Sequence, residues 1–338
     1  MSKITVAFVG AGHIHTPGFM GTIKNRYADT VSVKYVYDHD GERAGKRAAE
    51  LGATATTDLS DVVNDKEVSA VIVCSETNRH ADLVLPLAAA KKHLFIEKPI
   101  GIAATDARVI AAAVESAGVL FQTGYFRRGD AKMQFLKQAV ADGKFGTITR
   151  ARGSNCHSGA LGGWFDGEWR WMADVSQSGC GGFGDLGTHL LDILLYLFGE
   201  VETVTAHLSN GTNRYGCDEW GEGMLRFKSG TLATLAAGWN DVADPAELEI
   251  CGTEGHAIIF NGQLYLSGKA FGEGTDGRKP FTEAGADVPA GLDAFLNVLT
   301  TGEKSPALVT VQEAAYRNVV MEALYDGAKR EAWVSLSG

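Results

Sequence analysis

The sequence predicts two domains: an α/β domain with a doubly wound parallel sheet at residues 1–124, and an α+β domain with a large, mainly antiparallel open sheet at 125–338. The length of 338 residues exceeds what one hydrophobic core usually organises. Short apolar runs alternate with helical patterns up to Gly124, and closely spaced strand patterns dominate after it. Such a change of rhythm indicates a change of domain.

The first domain is predicted from five apolar runs, at 4–9, 31–37, 70–73, 94–96 and 119–123. Amphipathic stretches lie between them, for example at 41–51, 79–90 and 105–117. This β-α-β order is typical of a parallel sheet that helices cover on both faces.

The second domain is predicted from a different set of patterns. A helix is expected at 131–142, a strand at 147–156 and a strongly apolar helix at 186–198. Further strands are expected at 201–208, 223–227, 232–238, 248–251 and 257–260, with turn residues about every ten positions. This spacing is typical of an antiparallel sheet, and the tail at 292–329 is helical again.

Composition limits the partners. The formal net charge is -10, whereas nucleic acids and anionic membranes attract basic faces, so neither is an expected partner. The chain has no run of 18 apolar residues, and its first apolar segment ends in a glycine turn rather than a cleavage site, which predicts a cytoplasmic protein. The five cysteines are spread widely and form no C-x-x-C pair, so neither a disulfide framework nor a metal site is predicted.

A glycine-rich turn directly follows the first strand. Gly10 permits a tight turn and Gly12 lets a pyrophosphate approach the backbone at the N-terminus of the next helix, as in Rossmann domains. His13 and Ile14 lie in the same turn and are predicted cofactor contacts. His15 replaces the usual third glycine, so that it either pushes the helix outward or points into the cleft.

Two acidic residues follow the second strand. Asp38 is predicted to accept hydrogen bonds from the adenosine ribose, while Asp40 is predicted to cap the helix that starts at Gly41. The alternative makes either residue a helix cap only. Because a carboxylate repels a 2′-phosphate, NAD is expected in preference to NADP, and Arg43 is the one neighbour that could soften this preference.

Lys98 ends the fifth strand within Glu97-Lys98-Pro99, at the edge where open α/β sheets bind ligands. A solvated surface lysine is the alternative. The three residues resemble the E-K-P signature of the glucose-fructose oxidoreductase, inositol dehydrogenase and rhizopine-catabolism (Gfo/Idh/MocA) family. This resemblance extends over nearly the whole chain and implies a cis Lys98-Pro99 bond.

Further stretches carry the same resemblance. The loop at 75–80 is similar to the family loop after the fourth strand, and it adds Ser75, Thr77 and His80 to the predicted cofactor contacts. The E-K-P stretch adds Glu97 and Lys98. Glu76 departs from the usual proline there. The stretches at 122–128 and 142–146 are similar to other family landmarks, and GCGGFGDLGTHLLD at 179–192 closely fits the family's glycine-aspartate-histidine motif.

Asp185 and His189 are four residues apart, which places both side chains on one face of a helix. The alternative is that Asp185 caps the helix and His189 is a core residue. The resemblance implies that Lys98, Asp185 and His189 are catalytic. His189 is then the general base, Lys98 stabilises developing negative charge on the reacting oxygen, and Asp185 tunes both.

The resemblance also suggests where a polyol would bind. Residues at positions that line the family's pocket are Arg127, Asn155, His157, Trp169, Arg170 and Trp239. Aromatic faces with polar hydrogen-bonding groups suit a sugar ring, although the tryptophans could equally be core residues.

The expected function is therefore NAD-dependent oxidation of a secondary hydroxyl in a sugar, inositol or related polyol. Two alternatives remain open: an NAD-dependent glycosidase that oxidises its substrate transiently, and a non-catalytic dinucleotide-binding regulator. A homodimer or homotetramer is expected to form through the open sheet if its exposed face is apolar.

Overall fold

The computed structural model describes residues 3–273 and 275–336. The chain divides into two compact units, and each is described by itself. Unit 1 comprises Met1–Phe126, Asp166–Gly179 and Pro289–Asn318, and unit 2 comprises Arg127–Phe165, Cys180–Val288 and Val319–Gly338. The chain therefore first leaves unit 1 close to the predicted boundary, but two later segments return to it.

Alternating strands and helices build the first part of unit 1. The strands are β1 (Ile4–Val9), β2 (Val31–Tyr37), β3 (Thr54–Thr56), β4 (Ala70–Val73), β5 (His93–Ile96) and β6 (Phe121–Thr123). The helices are α1 (Thr16–Arg26), α2 (Gly41–Leu51), α3 (Ser60–Asn64), α4 (His80–Ala89) and α5 (Ala104–Ala117). All strand pairs are parallel, in the order β3-β2-β1-β4-β5-β6, which confirms the doubly wound sheet.

The remaining elements follow in chain order. They are α6 (Ala131–Ala141), β7 (Ile148–Cys156), α7 (Val175–Ser178), α8 (Gly182–Phe198), β8 (Val201–Ser209), β9 (Trp220–Phe227), β10 (Leu232–Gly238), β11 (Ala246–Gly252), β12 (His256–Phe260), β13 (Gln263–Ser267), α9 (Gly291–Thr301), α10 (Val311–Arg330) and β14 (Val334–Ser335). The short strands β3, β13 and β14 were not predicted.

Apolar residues cover both faces of the unit 1 sheet. Along β1, Val6 and Phe8 belong to one cluster of buried side chains, and Ala7 and Val9 belong to the other. Alternation to two buried faces explains why this strand is an unbroken apolar run. Phe295 of α9 joins the cluster of Phe8, so that a late helix completes one face of the unit 1 sheet.

Unit 2 contains an eight-stranded sheet in the order β13-β12-β11-β7-β10-β9-β8-β14. All described pairs are antiparallel except β7 with β10, which confirms a mainly antiparallel sheet. Burial alternates strictly along β9: Leu225 and Phe227 are buried, whereas Met224 and Arg226 are exposed. One face of the sheet is therefore packed and the other is exposed.

Candidate active site

The strand order of the unit 1 sheet reverses between β1 and β4, and the glycine turn lies at this point. Gly10 has a φ of +78°, and a Cβ there would overlap Ser75 at the end of β4. The amide of His13 donates to the carbonyl of Cys74 at 3.0 Å. Glycine at position 10 is thus required for the two loops to meet, at the switch point where doubly wound folds bind dinucleotides.

His15 occupies the position of the missing third glycine, just before α1. Its Nδ1 lies 3.0 Å from Oε1 of Glu97, and its ring lines a pocket of about 400 Å³ together with Phe19 and Phe126. Of the two predicted outcomes, the side chain therefore points into a pocket of unit 1. One potential metal-ligating atom from each of His13, His15 and Glu97 lies within 4.8 Å of the other two.

Glu97 is fully buried at the end of β5. Burial by itself raises the pKa of this carboxyl group, but His13, His15 and Lys98 together hold the pKa well below its usual range. Its Oε2 accepts a hydrogen bond from the amide of Lys98 at 2.7 Å, and a Cβ on Gly124 would collide with it. Glu97 is thus an ionised anchor for the loop that presents Lys98.

Lys98 itself is only 2% exposed, so the alternative of a solvated surface lysine is wrong. The Lys98-Pro99 bond is cis, as the family resemblance implied. His80, a predicted cofactor contact, is buried, and its Nδ1 lies 3.3 Å from the carbonyl oxygen of Ile100. Burial lowers the pKa of His80, in keeping with a neutral ring that braces this loop.

Asp38 lies at the end of β2 and is fully buried. Its carboxylate accepts hydrogen bonds from the amides of Ala11 and Asp40 and two from the guanidinium of Arg43, at 2.8 to 2.9 Å. The same guanidinium donates to Oε1 of Glu76 at 2.8 Å. Asp40 accepts from the amides of Glu42 and Arg43, which confirms its prediction as the cap of α2.

The segment 166–179 belongs to unit 1 and packs against the glycine turn. Nε1 of Trp171 donates to the carbonyl of Gly12 at 2.9 Å, and Arg47 pairs with Glu168 at 2.8 Å. Trp169 and Arg170, predicted as substrate contacts within the second domain, lie in this same segment of unit 1. The contact of Trp171 with the turn was not predicted.

In unit 2, side chains that are distant in sequence cap the start of α8. Asp218 accepts hydrogen bonds from the amides of Gly181 at 3.2 Å and Phe183 at 3.0 Å. Tyr325 Oη donates to both carboxylate oxygens of Asp218 and accepts from the amide of Gly184 at 3.1 Å. Burial raises the pKa of Asp218 above its ordinary value. These contacts satisfy amides that a helix start leaves without partners.

Asp185 and His189 lie one turn apart on α8. The helix starts at Gly182 and Asp218 caps it, so the alternative of Asp185 as the helix cap is wrong. Nε1 of Trp239 donates to Oδ2 of Asp185 at 3.0 Å. His189 is only 6% exposed. The helix thus presents a half-buried carboxylate with a fixed orientation and a nearly buried imidazole.

Trp239 was predicted to contact substrate, and this prediction needs correction. Its side chain is 0% exposed and packs against Phe165 with the ring centroids 4.3 Å apart. Such a ring offers no surface to a ligand, and its one polar atom is bound to Asp185. Trp239 therefore orients Asp185 instead.

The other predicted substrate residues in unit 2 have protein partners. Asn155 donates to the carbonyl of Leu186 at 2.7 Å, which ties β7 to α8. The ring of His157 lies 4.8 Å from that of Trp164. Arg127 pairs with Glu247 at 3.3 Å. Their roles in substrate binding stay predictions.

Comparisons with known proteins decide the family. Residues 4–125 match the family model described as "Oxidoreductase family, NAD-binding Rossmann fold", and residues 133–258 match "GFO/IDH/MocA C-terminal domain". The chain belongs to the Gfo/Idh/MocA family of oxidoreductases.

Two Gfo/Idh/MocA relatives and one solved structure illustrate the likeness. Levoglucosan dehydrogenase of Pseudarthrobacter phenanthrenivorans is 24% identical, covering 90% of this chain and 89% of that protein. Myo-inositol 2-dehydrogenase of Thermotoga maritima is 28% identical, covering 76% and 75%. The WlbA dehydrogenase from Bordetella pertussis, solved in complex with NADH and UDP-GlcNAcA, has a TM-score of 0.81 at 20% identity over 100% of both chains, and shares the fold.

Sequence reasoning missed some residues that support the Gfo/Idh/MocA motifs. Asp218 and Tyr325 lie 35 and 141 positions along the chain from the α8 amides that they bind. Their sequence neighbourhoods carry no motif that points to this role.

None of the helices in the described part of the chain is both long and apolar enough to cross a membrane.

Proposed function

We propose that this chain is an NAD-dependent dehydrogenase that oxidises a secondary hydroxyl of a cyclic sugar, inositol or related polyol. The observation that carries the proposal is the placement of Asp185 and His189 one turn apart on α8, in a family whose motif also supplies the buried Lys98. The relatives act, by name, on levoglucosan and myo-inositol, both ring polyols.

The residues of unit 1 fit a bound dinucleotide. Gly10 and Gly12 open the turn after β1, and a Cβ at Gly12 would lie 2.9 Å from Nη1 of Arg43. The amides at the start of α1 suit a pyrophosphate. The nicotinamide would supply the hydride acceptor, and Gly10, Gly12, His13, Ile14, Ser75, Thr77 and His80 are the proposed residues that hold the cofactor.

NAD is the proposed cofactor in preference to NADP. Asp38 and Glu76 both bind Arg43, so two carboxylates surround one guanidinium. Burial by itself lowers the pKa of Arg43, but the two acids raise it above the ordinary value, and the group stays charged and held in place. A 2′-phosphate would meet this acidic edge at an electrostatic disadvantage.

The proposed chemistry assigns one task to each residue of the trio. His189 accepts the hydroxyl proton of the substrate, since imidazole titrates in the range that a base needs near neutral pH. Lys98 donates a hydrogen bond to the reacting oxygen and stabilises the negative charge that develops there. Asp185, held by Trp239, hydrogen-bonds the substrate hydroxyl or the lysine.

A panel of cyclic sugars, inositols and linear polyols tests the proposal. Each compound is mixed with the protein and NAD or NADP, and nicotinamide reduction is followed by absorbance. We expect reduction of NAD with at least one cyclic polyol, and slower reduction of NADP with the same compound. No reduction with any cyclic compound, despite binding of NADH, would favour the regulatory alternative.

A further inference from the structure

We propose that Glu76 is the carboxylate that accepts a hydrogen bond from the adenosine ribose of NAD, and that it is the main determinant of the preference for NAD over NADP. This inference rests on the proposed function, because it needs a dinucleotide at the carboxyl edge of the unit 1 sheet. It assigns to Glu76 a role that was predicted from the sequence for Asp38.

Asp38 has no free acceptor position left in this structure. A carboxylate offers about four lone-pair sites, two on each oxygen. Oδ2 accepts from the Ala11 amide and from Nε of Arg43, and Oδ1 accepts from the Asp40 amide and from Nη2 of Arg43. Nδ1 of His39 lies a further 3.2 Å from Oδ1. A ribose hydroxyl would have to displace one of these donors.

Glu76 has the free acceptor that Asp38 lacks. Its side chain is buried, with an exposed fraction of 7%. Oε1 accepts from Nη2 of Arg43 at 2.8 Å, whereas Oε2 has no hydrogen-bond partner in the described part of the chain. Nδ1 of the His39 imidazole lies 4.0 Å from Oε2. A buried carboxylate oxygen without a donor is unfavourable, and a hydroxyl donor relieves this.

The position of Glu76 suits the adenosine half of a dinucleotide. It follows β4 directly after Ser75, the residue that meets Gly10 at the switch point. Through Arg43 it is joined to Asp38 at the end of β2, the strand end that binds adenosine ribose in Rossmann domains. Proline, the usual family residue here, has neither a charge nor an acceptor side chain.

Glu76 also controls what Arg43 can bind. With both acids present, the guanidinium donates to two carboxylates and the local formal charge of the three groups is negative. A 2′-phosphate adds nearly two more negative charges and would be repelled. Removing the charge of Glu76 frees one face of Arg43, which can then donate to the phosphate.

Fluorescence titration with NADH and NADPH tests the inference in the wild type, in Glu76→Gln and in the control Glu42→Gln. Glu42 is an exposed acid in the first turn of α2, so its variant makes the same charge change nearby. In Glu76→Gln we expect NADH to bind about tenfold more weakly and NADPH about tenfold more tightly, the size of one charge-assisted hydrogen bond. The control should change neither affinity by more than about twofold.

Two analogues of NADH, with the 2′- or the 3′-hydroxyl of the adenosine ribose removed, locate the bond itself. At least one should bind the wild type about tenfold more weakly than NADH, and this difference should vanish in Glu76→Gln. If the affinities for NADH and the analogue differ as much in the variant as in the wild type, Asp38 rather than Glu76 binds the ribose and the inference is overturned. If Glu76→Gln does not fold, Glu76→Pro, the family residue, replaces it. A wild type that binds neither NADH nor NADPH would instead contradict the proposed function.

Discussion

The carboxyl edge of the unit 1 sheet and the start of α8 in unit 2 are built in opposite ways. At the sheet edge, each functional side chain lies on a short loop directly after a strand, as Asp38, Ser75 and Lys98 do. At α8, the glycines and Asp185 lie in one local motif, but Asp218, Trp239 and Tyr325 come from remote segments. Local strand order builds the first region, whereas long-range packing builds the second.

This difference separates two kinds of effect. Apart from Lys98, which acts on the reacting oxygen, changes at the sheet edge should alter dinucleotide affinity or selectivity, because the side chains there surround the proposed cofactor. Changes on α8 and its supports should alter turnover or stability and leave dinucleotide affinity unchanged, because the residues that match the NAD-binding family model, 4–125, lie almost entirely in unit 1. Variants in the two regions test this separation.

His189→Ala should have the largest effect. We expect turnover to fall roughly 10²- to 10⁴-fold, the usual contribution of a general base, with the Kd for NADH unchanged. Steady-state kinetics and NADH titration check both parts. If the variant binds NADH more weakly but turns over as fast as the wild type, the two regions do not separate dinucleotide affinity from turnover.

The pH profile of the same enzyme sharpens this prediction. The oxidation rate should rise with pH through the apparent pKa of the base, because the base must lose its proton before it can accept one. A His189→Asn variant that keeps the native rate and pH profile would move the base elsewhere, with Lys98 as the first candidate.

Lys98→Ala should lower turnover by about two to three orders of magnitude, as when a donor to a developing oxyanion is removed. Lys66→Ala is a matched control, because Lys66 is an exposed lysine of the same unit. Circular dichroism confirms that both variants fold. Equal turnover in the two variants would exclude Lys98 from the chemistry.

Asp218→Ala should lower the free energy of unfolding by about 2 kcal/mol, because it leaves the amides of Gly181 and Phe183 without an acceptor. Urea denaturation measures this. Its folded pKa is raised by burial, so the folded state binds the proton more strongly than the unfolded chain. This group's contribution to stability should therefore fall as pH rises from the ordinary aspartate pKa through the raised one, and Asp218→Asn should remove that dependence.

Trp239→Phe should have the smallest effect. It keeps most of the packing but removes the hydrogen bond to Asp185, so we expect turnover to fall about five- to tenfold, equivalent to about 1 kcal/mol. Trp220→Phe is the control, because Trp220 is 38% exposed on β9. Turnover equal to that of the wild type would mean that Asp185 needs no orientation by the indole.

The same difference explains what the sequence could predict. The bounds of β1, β2, α2 and β4 were predicted to the residue, because apolar runs and glycine turns mark the ends of buried parallel strands. The glycine turn, the cap Asp40 and the buried cis Lys98-Pro99 were likewise predictable from local signals or from the family motif.

What failed needed knowledge of distant contacts. A single domain boundary could not reveal that 166–179 returns to unit 1, because its anchor is the indole of Trp171 on the Gly12 carbonyl. Trp239 was mistaken for a substrate contact because burial cannot be inferred from an aromatic residue alone. The start of α8 was placed four residues late, since glycines are poor helix formers and the helix here depends on Asp218.

Net oxidation of a hydroxyl group by this protein would form one NADH for each substrate molecule, so the ratio of NADH formed to substrate consumed measures it. The active compound from the substrate panel is incubated with excess NAD, and NADH and remaining substrate are both quantified over time. We predict one NADH for each molecule consumed and a carbonyl product two mass units lighter. Consumption of substrate without accumulation of NADH would exclude net oxidation and support the redox-neutral glycosidase.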